Sequence, residues 1–279
     1  HCCANENRGR HGQTTISINY CTKMPELPDL QVFSHNLTTA LKGRTWEKVR
    51  VPQPKKLKVA VKELQAALEG QQLTAVKRSG KELHLLFANG HSLGLHLMLH
   101  GELTIFEGNA EPKYIIIDLQ FDDGRHLAMS DFQRAAVATL DPEKSIVPDA
   151  LDFEEAYLQK KLTATRKAIK TVLTDQKIIR GIGNAYADEI LYDARISPFS
   201  AANKIPSAKV KTLFRSIRTV LNDAEAHIKK ERPDSITGEV RDFLNVHQPK
   251  NQKTPSGETI RQKPVGSRKT YYTDKQELY

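Results

Sequence analysis

The chain has 279 residues, enough for about two domains, and its 42 Lys and Arg residues outnumber its 33 Asp and Glu residues. The resulting formal net charge of +9 favours a polyanionic partner, nucleic acid before others, although many equally basic soluble proteins bind no polyanion. No segment has the ~20 consecutive apolar residues that a spanning helix needs, so we expect no membrane partner.

Residues 1–23 form a polar leader before Met24, where the segment up to Asp29 resembles a translation start. The leader has no apolar run long enough for a signal peptide. We expect it to be unstructured and to come from upstream read-through, a mis-assigned start or a cloning remnant. All three cysteines lie in it, so the rest of the chain has neither a disulfide framework nor a thiolate metal site. A reducing, intracellular compartment fits this cysteine usage.

Residues 24–148 are predicted to form an N-terminal domain in which a helix precedes an antiparallel β-sandwich or flattened barrel. Apolar residues recur at helical spacing over residues 28–41 and then alternate with a period of two. The dipeptides Asn89-Gly90 and Asp123-Gly124 are typical of hairpin turns between strands. The predicted strands cover residues 46–51, 82–87, 93–99, 103–106, 114–121 and 126–129.

Residues 149–245 are predicted to be a helical domain and residues 246–279 a small terminal module. We expect a hinge at Val147-Pro148-Asp149, followed by apolar stripes at helical spacing and a long helix with Ser207 as its N-cap. From residue 246 the chain is rich in Lys, Gln, Thr and Pro, which is compatible with disorder or with a β-hairpin. The predicted fold class is therefore α+β with several domains.

The start of the N-terminal domain carries the first candidate chemistry. If Pro25 is the first residue of the mature chain, its secondary amine has a pKa of about 8 and is partly neutral and nucleophilic at cellular pH. Attack on a sugar aldehyde carbon then gives an iminium, which drives elimination, and the neighbouring Glu26 is placed to protonate a departing ring oxygen. With the leader attached, the nitrogen is an amide and this chemistry is lost. The structural alternative is a Pro-x-x-Pro segment that only opens a helix.

A second candidate site is the turn Gly181-Ile182-Gly183, where one helix leads into the next and Asn184 is predicted to be the cap. Unpaired N–H groups at such a helix start bind phosphate, and Asn184 adds a donor. Positive charge is supplied nearby by Lys170, Lys177 and Arg180. The pattern favours binding of a phosphate backbone, and the alternative is an ordinary tight corner between helices.

A third candidate is the basic cluster formed by residues 77–81, at the start of a predicted strand. Its last residue, Lys81, could enter a site as an acid, a base or a phosphate clamp. The commoner fate of such a cluster is a solvated hairpin end.

Together these motifs resemble the formamidopyrimidine-DNA glycosylase and endonuclease VIII family of DNA repair enzymes. The resemblance runs from Met24 essentially to the end of the chain. Its most specific points are the Pro25-Glu26-Leu27-Pro28 start and the Gly181-Ile182-Gly183-Asn184 turn. It implies that the helical domain is a DNA-binding helix–two-turn–helix domain and that the terminal module is a β-hairpin finger.

The resemblance also implies roles for single residues. Pro25 matches the amine that attacks C1′ of the damaged nucleotide, and Glu26 matches the acid that protonates the sugar ring oxygen. Asp29 matches a supporting acid that is usually Glu in the family. Lys81 matches a lysine that contacts DNA and assists turnover. The residues expected to bind DNA are Lys81, Leu99, Arg134, Lys170, Asn184 and Arg268.

The finger departs from the family pattern, in which cysteines usually hold zinc. The corresponding positions, none of which supplies a thiolate, are Lys253, Ser256, Thr273 and Gln276. The hairpin outline survives, with Arg268 matching the arginine at the finger tip, and resembles the zincless fingers of some family members. We expect packing of Tyr271, Tyr272 and Ile260 to hold it. A frayed end is the alternative.

Residues 131–136 depart from the family as well, because the family usually has an arginine and a wedging phenylalanine in this loop. The chain has Gln133 and Ala135 there, and a methyl group cannot fill the space of a flipped base. Either Phe132 or Leu99 acts as the wedge (the family has a void-filling Met at the latter position), or recognition of the opposite base is weak. The sequence therefore leaves the lesion preference open.

The resemblance implies a bifunctional DNA glycosylase and abasic-site lyase of base excision repair. Such an enzyme removes oxidised bases from damaged double-stranded DNA and cleaves the strand by β-elimination, with δ-elimination left open, and it needs no cofactor. We expect a monomer in the cytoplasm or nucleoid. Two alternatives stay open. One is a non-catalytic binder of abasic or damaged DNA, if the leader is retained. The other is an RNA-binding protein, since a similar helical motif occurs in a ribosomal protein.

Overall fold

The computed structural model describes residues 24–279, except residues 53, 55, 56 and 58. The expected leader, residues 1–23, lies outside the described residues. Within them, a β-rich part and a helical part each have a hydrophobic core, and a β-hairpin lies near the end of the chain.

The β-rich part begins with a helix and continues as two antiparallel sheets. Its elements are α1 (Leu27–Leu41), β1 (Trp46–Arg50), α2 (Val61–Leu68), β2 (Leu73–Ser79), β3 (Glu82–Phe87), β4 (Ser92–His96), β5 (Glu102–Glu107), β6 (Ile115–Phe121), β7 (Arg125–Ser130) and β8 (Val137–Leu140). One sheet has the order β1-β6-β7-β5 and the other β2-β3-β4-β8, and each neighbouring pair is antiparallel. This architecture confirms the predicted helix and β-sandwich.

The core of the β-rich part lies between the two sheets and beneath α1. Trp46 is fully buried and meets Phe87 and Phe121 edge to face, with ring centroids 4.4 Å and 5.7 Å away. Aromatic rings attract each other in this geometry. The apolar face of α1, which includes Phe33 and Leu37, closes the core from outside the sheets. The helical periodicity of residues 28–41 is thus explained by burial.

Both predicted hairpin turns are present in the structure. Asn89-Gly90 connects β3 to β4, and Asp123-Gly124 connects β6 to β7. The two glycines have φ values of 89° and 81°, which residues with a side chain rarely adopt.

Two predictions for the β-rich part were wrong in detail. Alternation predicted a strand through Leu99, but β4 ends at His96 and Met98 has a φ of 56°, so that Leu99 lies in a loop. The basic cluster of residues 77–81 does not begin a strand, because it ends β2 and turns at Gly80 into β3. The sequence also did not predict α2, β2 and β8, whose apolar runs are short.

The helical part consists of α3 (Glu155–Thr163), α4 (Ile169–Leu173), α5 (Asn184–Asp193) and α6 (Ser207–Glu231), with a short 3₁₀ turn at Ala202–Lys204. The long helix α6 confirms the predicted apolar stripe, which faces the core. Its N-cap is Pro206, so Ser207 is the first helical residue and not the cap. Among the helices that the structure describes, none is long and apolar enough to cross a membrane.

The segment predicted as a hinge is a hydrogen-bonded junction. The carboxylate of Asp149 accepts bonds from both Nη atoms of Arg78, at 2.6 Å and 2.9 Å, and from the main-chain N–H of Gly80 at 3.0 Å. From the helical part, the main-chain N–H of Arg180 donates to the Pro148 carbonyl at 3.0 Å. These bonds fix the β2–β3 turn against the helical part.

The terminal module contains a two-stranded antiparallel hairpin formed by β9 (Ile260–Val265) and β10 (Arg268–Thr273). Tyr271 and Ile260 pack with Tyr192 of α5, and the ring of Tyr272 meets that of Phe199 edge to face, with centroids 5.0 Å apart. The aromatic and aliphatic residues predicted to hold the finger therefore do so. The alternatives of disorder and of a frayed end do not apply to these strands.

Candidate active site

The start of α1 is inserted into the helical part of the protein. Leu27 is fully buried and belongs to the hydrophobic core of the helical part, and Pro25 is buried beside it. Gly181 makes room for this segment, since a Cβ at that position would lie 2.6 Å from Leu27 Cδ1. A side chain at residue 181 would therefore displace the segment that carries Pro25 and Glu26.

The carboxylate of Glu26 lies at the N-terminus of α5. Its oxygens accept bonds from the main-chain nitrogens of Ala185 at 3.0 Å and Tyr186 at 3.4 Å. These N–H groups have no partner within the helix, and the helix dipole favours a negative charge at this end. A Cβ on Gly183 would lie 2.1 Å from Glu26 Cδ, so only glycine leaves space for the acid.

This arrangement corrects two predictions for the turn between α4 and α5. The N–H groups expected to bind phosphate are taken by Glu26, and the two glycines accommodate the side chains of Leu27 and Glu26. Asn184 is the first residue of α5 and not its cap, which is Gly183. The Asn184 amide nitrogen donates instead to the Lys269 carbonyl of the hairpin, at 3.0 Å.

Asp29 holds Glu26 from the main-chain side. Its Oδ2 accepts the Glu26 N–H at 2.8 Å, and its carboxylate is bound by both Nη atoms of Arg241, at 2.9 Å and 2.5 Å. Burial raises the pKa of Asp29 above its ordinary value, and Arg241 and the Glu26 N–H offset part of that rise. The sequence analysis missed Arg241, because no motif or periodicity marks it.

Lys81 lies in the turn between β2 and β3 and is half-buried. Burial lowers the pKa of Lys81, the Glu26 carboxylate raises it, and the guanidinium groups of Arg268 and Arg241 lower it further. These interactions bring Lys81, Glu26 and Arg268 within electrostatic range of one another, although each comes from a different part of the chain. Of the predicted site residues, Glu26 and Arg268 therefore interact electrostatically with Lys81.

His96 adjoins this cluster, and the sequence analysis gave it no role. Burial lowers the pKa of His96, Glu82 raises it, and Lys81 lowers it. The Met98 N–H donates to His96 Nδ1 at 3.0 Å, so the neutral ring carries its proton on Nε2. The available sequence signal was alternation, which places His96 on the face of β4 opposite the buried Leu95.

Arg268 and Lys170 were both predicted to bind DNA, but they have different partners in the structure. Arg268 Nη1 donates to the hydroxyl of Thr174 at the end of α4. Lys170 is 1% exposed, and its Nζ contacts the Asp188 carboxylate at 2.7 Å, the Thr270 hydroxyl at 2.9 Å and the carbonyl of residue 269 at 3.1 Å. These groups enclose the ammonium, and the structure gives no support to the predicted DNA contact of Lys170. The residue attaches the hairpin to the helical part.

Three of the four positions predicted to correspond to zinc cysteines, Ser256, Thr273 and Gln276, form side-chain hydrogen bonds. The Thr273 hydroxyl donates to Glu258 at 2.7 Å, and the Gln276 amide accepts the Thr273 N–H at 2.8 Å. Ser256 Oγ lies 2.9 Å from the hydroxyl of Thr254. Hydroxyl and amide groups tied in this way do not fit a tetrahedral zinc site, which requires thiolates or imidazoles. We therefore derive no step through a metal.

The loop of residues 131–136 is organised by the buried carboxylate of Asp131. Its oxygens accept the main-chain N–H groups of residues 133, 135 and 136, at 2.8, 2.7 and 2.8 Å. Arg134 is exposed and has a φ of 55°, a conformation that costs a non-glycine residue energy. These bonds fix the main chain of the loop, while the side chains of residues 132–134 are exposed.

Two apolar side chains at the surface match the predicted candidates for a wedge. Leu99 is 44% exposed and Phe132 is 39% exposed. The ring of Phe132 lies 4.6 Å from that of His100, the neighbour of Leu99, measured between centroids. The loop that carries Leu99 therefore contacts the loop that carries Phe132.

Comparisons with known proteins match both parts of the chain. The family model described as the formamidopyrimidine-DNA glycosylase N-terminal domain matches residues 24–138, and that of the formamidopyrimidine-DNA glycosylase H2TH domain matches residues 145–232. A formamidopyrimidine-DNA glycosylase of Carboxydothermus hydrogenoformans is 35% identical over 207 residues, covering 71% of this chain and 76% of its own. Another, of Chloroflexus aurantiacus, is 30% identical over 273 residues, covering 89% of this chain and 96% of its own.

Solved structures of similar fold are complexes with DNA. A complex between the Lactococcus lactis Fpg and abasic-site DNA has a TM-score of 0.80 at 22% identity, and covers 89% of this chain and 98% of that chain. The Lactococcus lactis protein with DNA containing FAPY-dG has a TM-score of 0.79 at 23% identity, with the same coverage. These similarities show the fold and agree with the architecture described above.

Proposed function

Because the chain belongs to the formamidopyrimidine-DNA glycosylase family, we propose that it removes oxidised bases from duplex DNA and cleaves the abasic strand that results. It is a DNA glycosylase of base excision repair, an activity that the family combines with abasic-site lyase chemistry. Its place of work is the cell interior, with the nucleoid as the specific proposal. The observation that carries the proposal is the fixed position of Glu26, next to Pro25 and between the two parts of the protein.

The first step is attack by the nitrogen of Pro25 on C1′ of the damaged nucleotide. The nitrogen forms a bond to C1′, and the bond from C1′ to the base breaks, with its electron pair leaving on the base. The Glu26 carboxylate takes the proton that the Pro25 nitrogen loses after attack and gives it to the ring oxygen O4′, the C1′–O4′ bond opens, and a Pro25–C1′ iminium remains. The α5 N-terminus keeps the Glu26 carboxyl group in place for this transfer.

The second step cleaves the strand. The iminium acidifies C2′, so a base removes a C2′ proton, the electron pair forms a C2′–C3′ double bond, and the 3′ phosphate leaves. Water then hydrolyses the iminium and releases the amine. Lys81 interacts electrostatically with the Glu26 carboxylate, and burial lowers the pKa of its ammonium. It is the proposed proton carrier and DNA contact of this step.

DNA is held from both sides of the site in this proposal. Lys81 of the β-rich part and Arg268 of the hairpin supply positive charge, and Asn184 supplies an amide donor once it exchanges its bond to residue 269 for a phosphate oxygen. Leu99 or Phe132 fills the space that a flipped base leaves, and Arg134 faces the opposite strand from the loop of residues 131–136.

A single-turnover assay tests this function. A version with a free Pro25 is mixed with duplexes that carry 8-oxoguanine, a formamidopyrimidine, an oxidised pyrimidine or an abasic site, and base release and strand cleavage are followed separately. We expect release of at least one oxidised base followed by strand cleavage, and loss of base release in Glu26→Gln with DNA binding retained. Binding of all duplexes without base release or strand cleavage would refute the enzyme proposal.

A further inference from the structure

Arg241 lies outside every motif that the sequence analysis used. It belongs to the segment that connects α6 to the hairpin, yet its guanidinium reaches the start of α1. Its side chain is 15% exposed, and both of its Nη atoms bind Asp29, whose side chain is 1% exposed. Two parallel bonds between a guanidinium and a buried carboxylate fix orientation as well as distance.

The first connection from Arg241 to the reacting atoms runs through Asp29. Asp29 Oδ2 accepts the Glu26 N–H at 2.8 Å, and that nitrogen belongs to the peptide bond between Pro25 and Glu26. Because a peptide group is planar, fixing this N–H fixes the carbonyl carbon of Pro25 and so limits the directions available to the proline ring.

The second connection runs through Tyr186. The guanidinium of Arg241 lies 5.0 Å from the centre of the Tyr186 ring, and its Nη1 donates to the Tyr186 hydroxyl at 3.3 Å. The main-chain nitrogen of the same tyrosine lies 3.4 Å from Glu26 Oε2. Arg241 therefore contacts both Asp29, which binds the main-chain N–H of Glu26, and Tyr186, whose main-chain N–H binds the Glu26 carboxylate.

We propose that Arg241 is a positioning residue of the reaction, which aligns Pro25 and Glu26 through Asp29 and Tyr186. This inference rests on the proposed function. The arginine that binds Asp29 is 212 residues away from it in the chain. Since Arg241 lies on the segment that leads to the hairpin, its bonds to Asp29 join this segment to the start of α1.

Arg241→Met tests the inference in the version with a free Pro25. Covalent trapping on an abasic-site duplex is measured under single-turnover conditions, and the Kd is measured with a duplex that carries a non-cleavable tetrahydrofuran site. We expect the saturating trapping rate to fall about 10- to 100-fold, because misplacement of reacting groups by about 1 Å costs this much. The Kd should change less than about 3-fold, because the arginine is largely buried and already paired with Asp29.

Further variants separate positioning from general stability. Arg241→Lys keeps the charge but loses the two-pronged geometry and should recover part of the rate. Asp29→Asn, which keeps the shape, should lose rate as Arg241→Met does, and the double variant should be no slower than the slower single one. Arg218→Met is the matched control, because Arg218 also covers an aromatic ring, that of Phe214 at 5.0 Å, and should trap at the wild-type rate.

Three results would overturn the inference: a wild-type saturating rate in Arg241→Met, a loss confined to Kd, or a wild-type rate in Asp29→Asn. If Arg241→Met does not fold, Asp29→Asn and Arg241→Lys decide the question alone. If the wild-type chain itself traps nothing, the proposed function fails. If it traps and the Arg241 and Asp29 variants match it, only the positioning role fails.

Discussion

Glu26 Oε1 and the main-chain nitrogen of Ala185 lie 3.0 Å apart, although 159 residues separate them in the chain. The bond joins the candidate acid of the β-rich part to the first turn of a helix in the other part. A change in the angle between the two parts would therefore move Glu26 relative to Pro25 or break this bond. The site depends on the assembly of both parts and not on the N-terminal segment alone.

Gly183→Ala should inactivate the enzyme without unfolding it. The added Cβ would lie 2.1 Å from Glu26 Cδ, so the carboxyl group must leave the helix N-terminus. We expect the single-turnover rate of base release to fall about 100-fold, and overpacking to cost about 1–3 kcal/mol of stability. Gly43→Ala is the control for an added methyl group without a clash, because nothing lies within 4 Å of its Cβ. Its φ of 84° imposes a backbone strain that Gly183, with a φ of −113°, does not have, so this variant should lose stability but keep the wild-type rate. A wild-type rate in Gly183→Ala would show that the acid does not act from this position.

Lys170→Met should weaken the attachment of the hairpin to the helical part, without removing a direct contact to DNA. Removing Lys170 from its buried ion pair with Asp188 leaves an uncompensated charge and should lower the free energy of unfolding by about 3–5 kcal/mol. Asp188→Asn should also weaken DNA binding, since Asp188 accepts the Tyr271 N–H of the hairpin at 3.1 Å. If Lys170 were a phosphate contact, removal of the acid would strengthen binding instead. Melting curves and Kd values of both variants, with Lys211→Met on the exposed side of α6 as control, distinguish these outcomes.

Lys81→Met should be more stable than wild type at neutral pH. Burial lowers the pKa of Lys81, whereas in the unfolded chain the pKa is about 10.4. Between these values the unfolded state binds more protons than the native state, so the wild-type protein gains stability as pH rises. The difference in Tm between the variant and wild type should therefore be largest near pH 7 and shrink towards pH 10. Each kcal/mol of stability difference corresponds to about 2–4 °C in Tm. Lys77→Met, on the exposed side of β2, should show no such trend, and a gap that widens with pH would contradict the assignment.

Glu258→Gln should loosen the hairpin, while a chelator should not. Burial raises the pKa of Glu258, but bonds from Thr273 and Arg195 outweigh it and hold the pKa below its usual range. The carboxylate thus contributes stability above about pH 4.3, and this contribution is lost as pH falls through the lowered value. At pH 7, amide exchange in β9 and β10 should be faster in Glu258→Gln than in wild type. Wild type should show the same change in acid. The free energy of opening of these amides should fall by about 1.5–3 kcal/mol. Asp274→Asn, in an exposed ion pair with Arg261, is the control. Faster exchange in the presence of EDTA would contradict a hairpin held without metal.

The sequence predicted those elements whose pattern reflects burial alone. The spacing of Phe33 and Leu37 gave α1, and the dipeptides at Gly90 and Gly124 gave two hairpins, because local sequence decides these features. Alternation failed at Leu99, since a periodic pattern does not record where hydrogen bonding to the next strand ends.

The candidate site was predicted in part for a similar reason. Pro25 and Glu26 were predicted because an N-terminal secondary amine beside a carboxyl group has a recognisable chemistry. The groups that hold Glu26 were missed, because main-chain N–H groups exist at every residue other than proline and their availability depends on the fold. Gly183 was assigned to phosphate binding when it serves close approach of Glu26, and both uses require the same absence of a Cβ. Lys170 was assigned to DNA because charge alone does not reveal a buried partner.

The most direct test of the account is borohydride trapping on an abasic-site duplex. The full chain is compared with a version that begins at Met24, in wild-type form and as Pro25→Gly, and N-terminal masses establish whether Met24 has been removed. The account predicts a covalent adduct only where residue 25 has a free amine, mapped by peptide mass to Pro25 in the wild type and much reduced in Pro25→Gly. Tight binding without an adduct from the chain with a free Pro25, or an adduct that maps to Lys81, would contradict it.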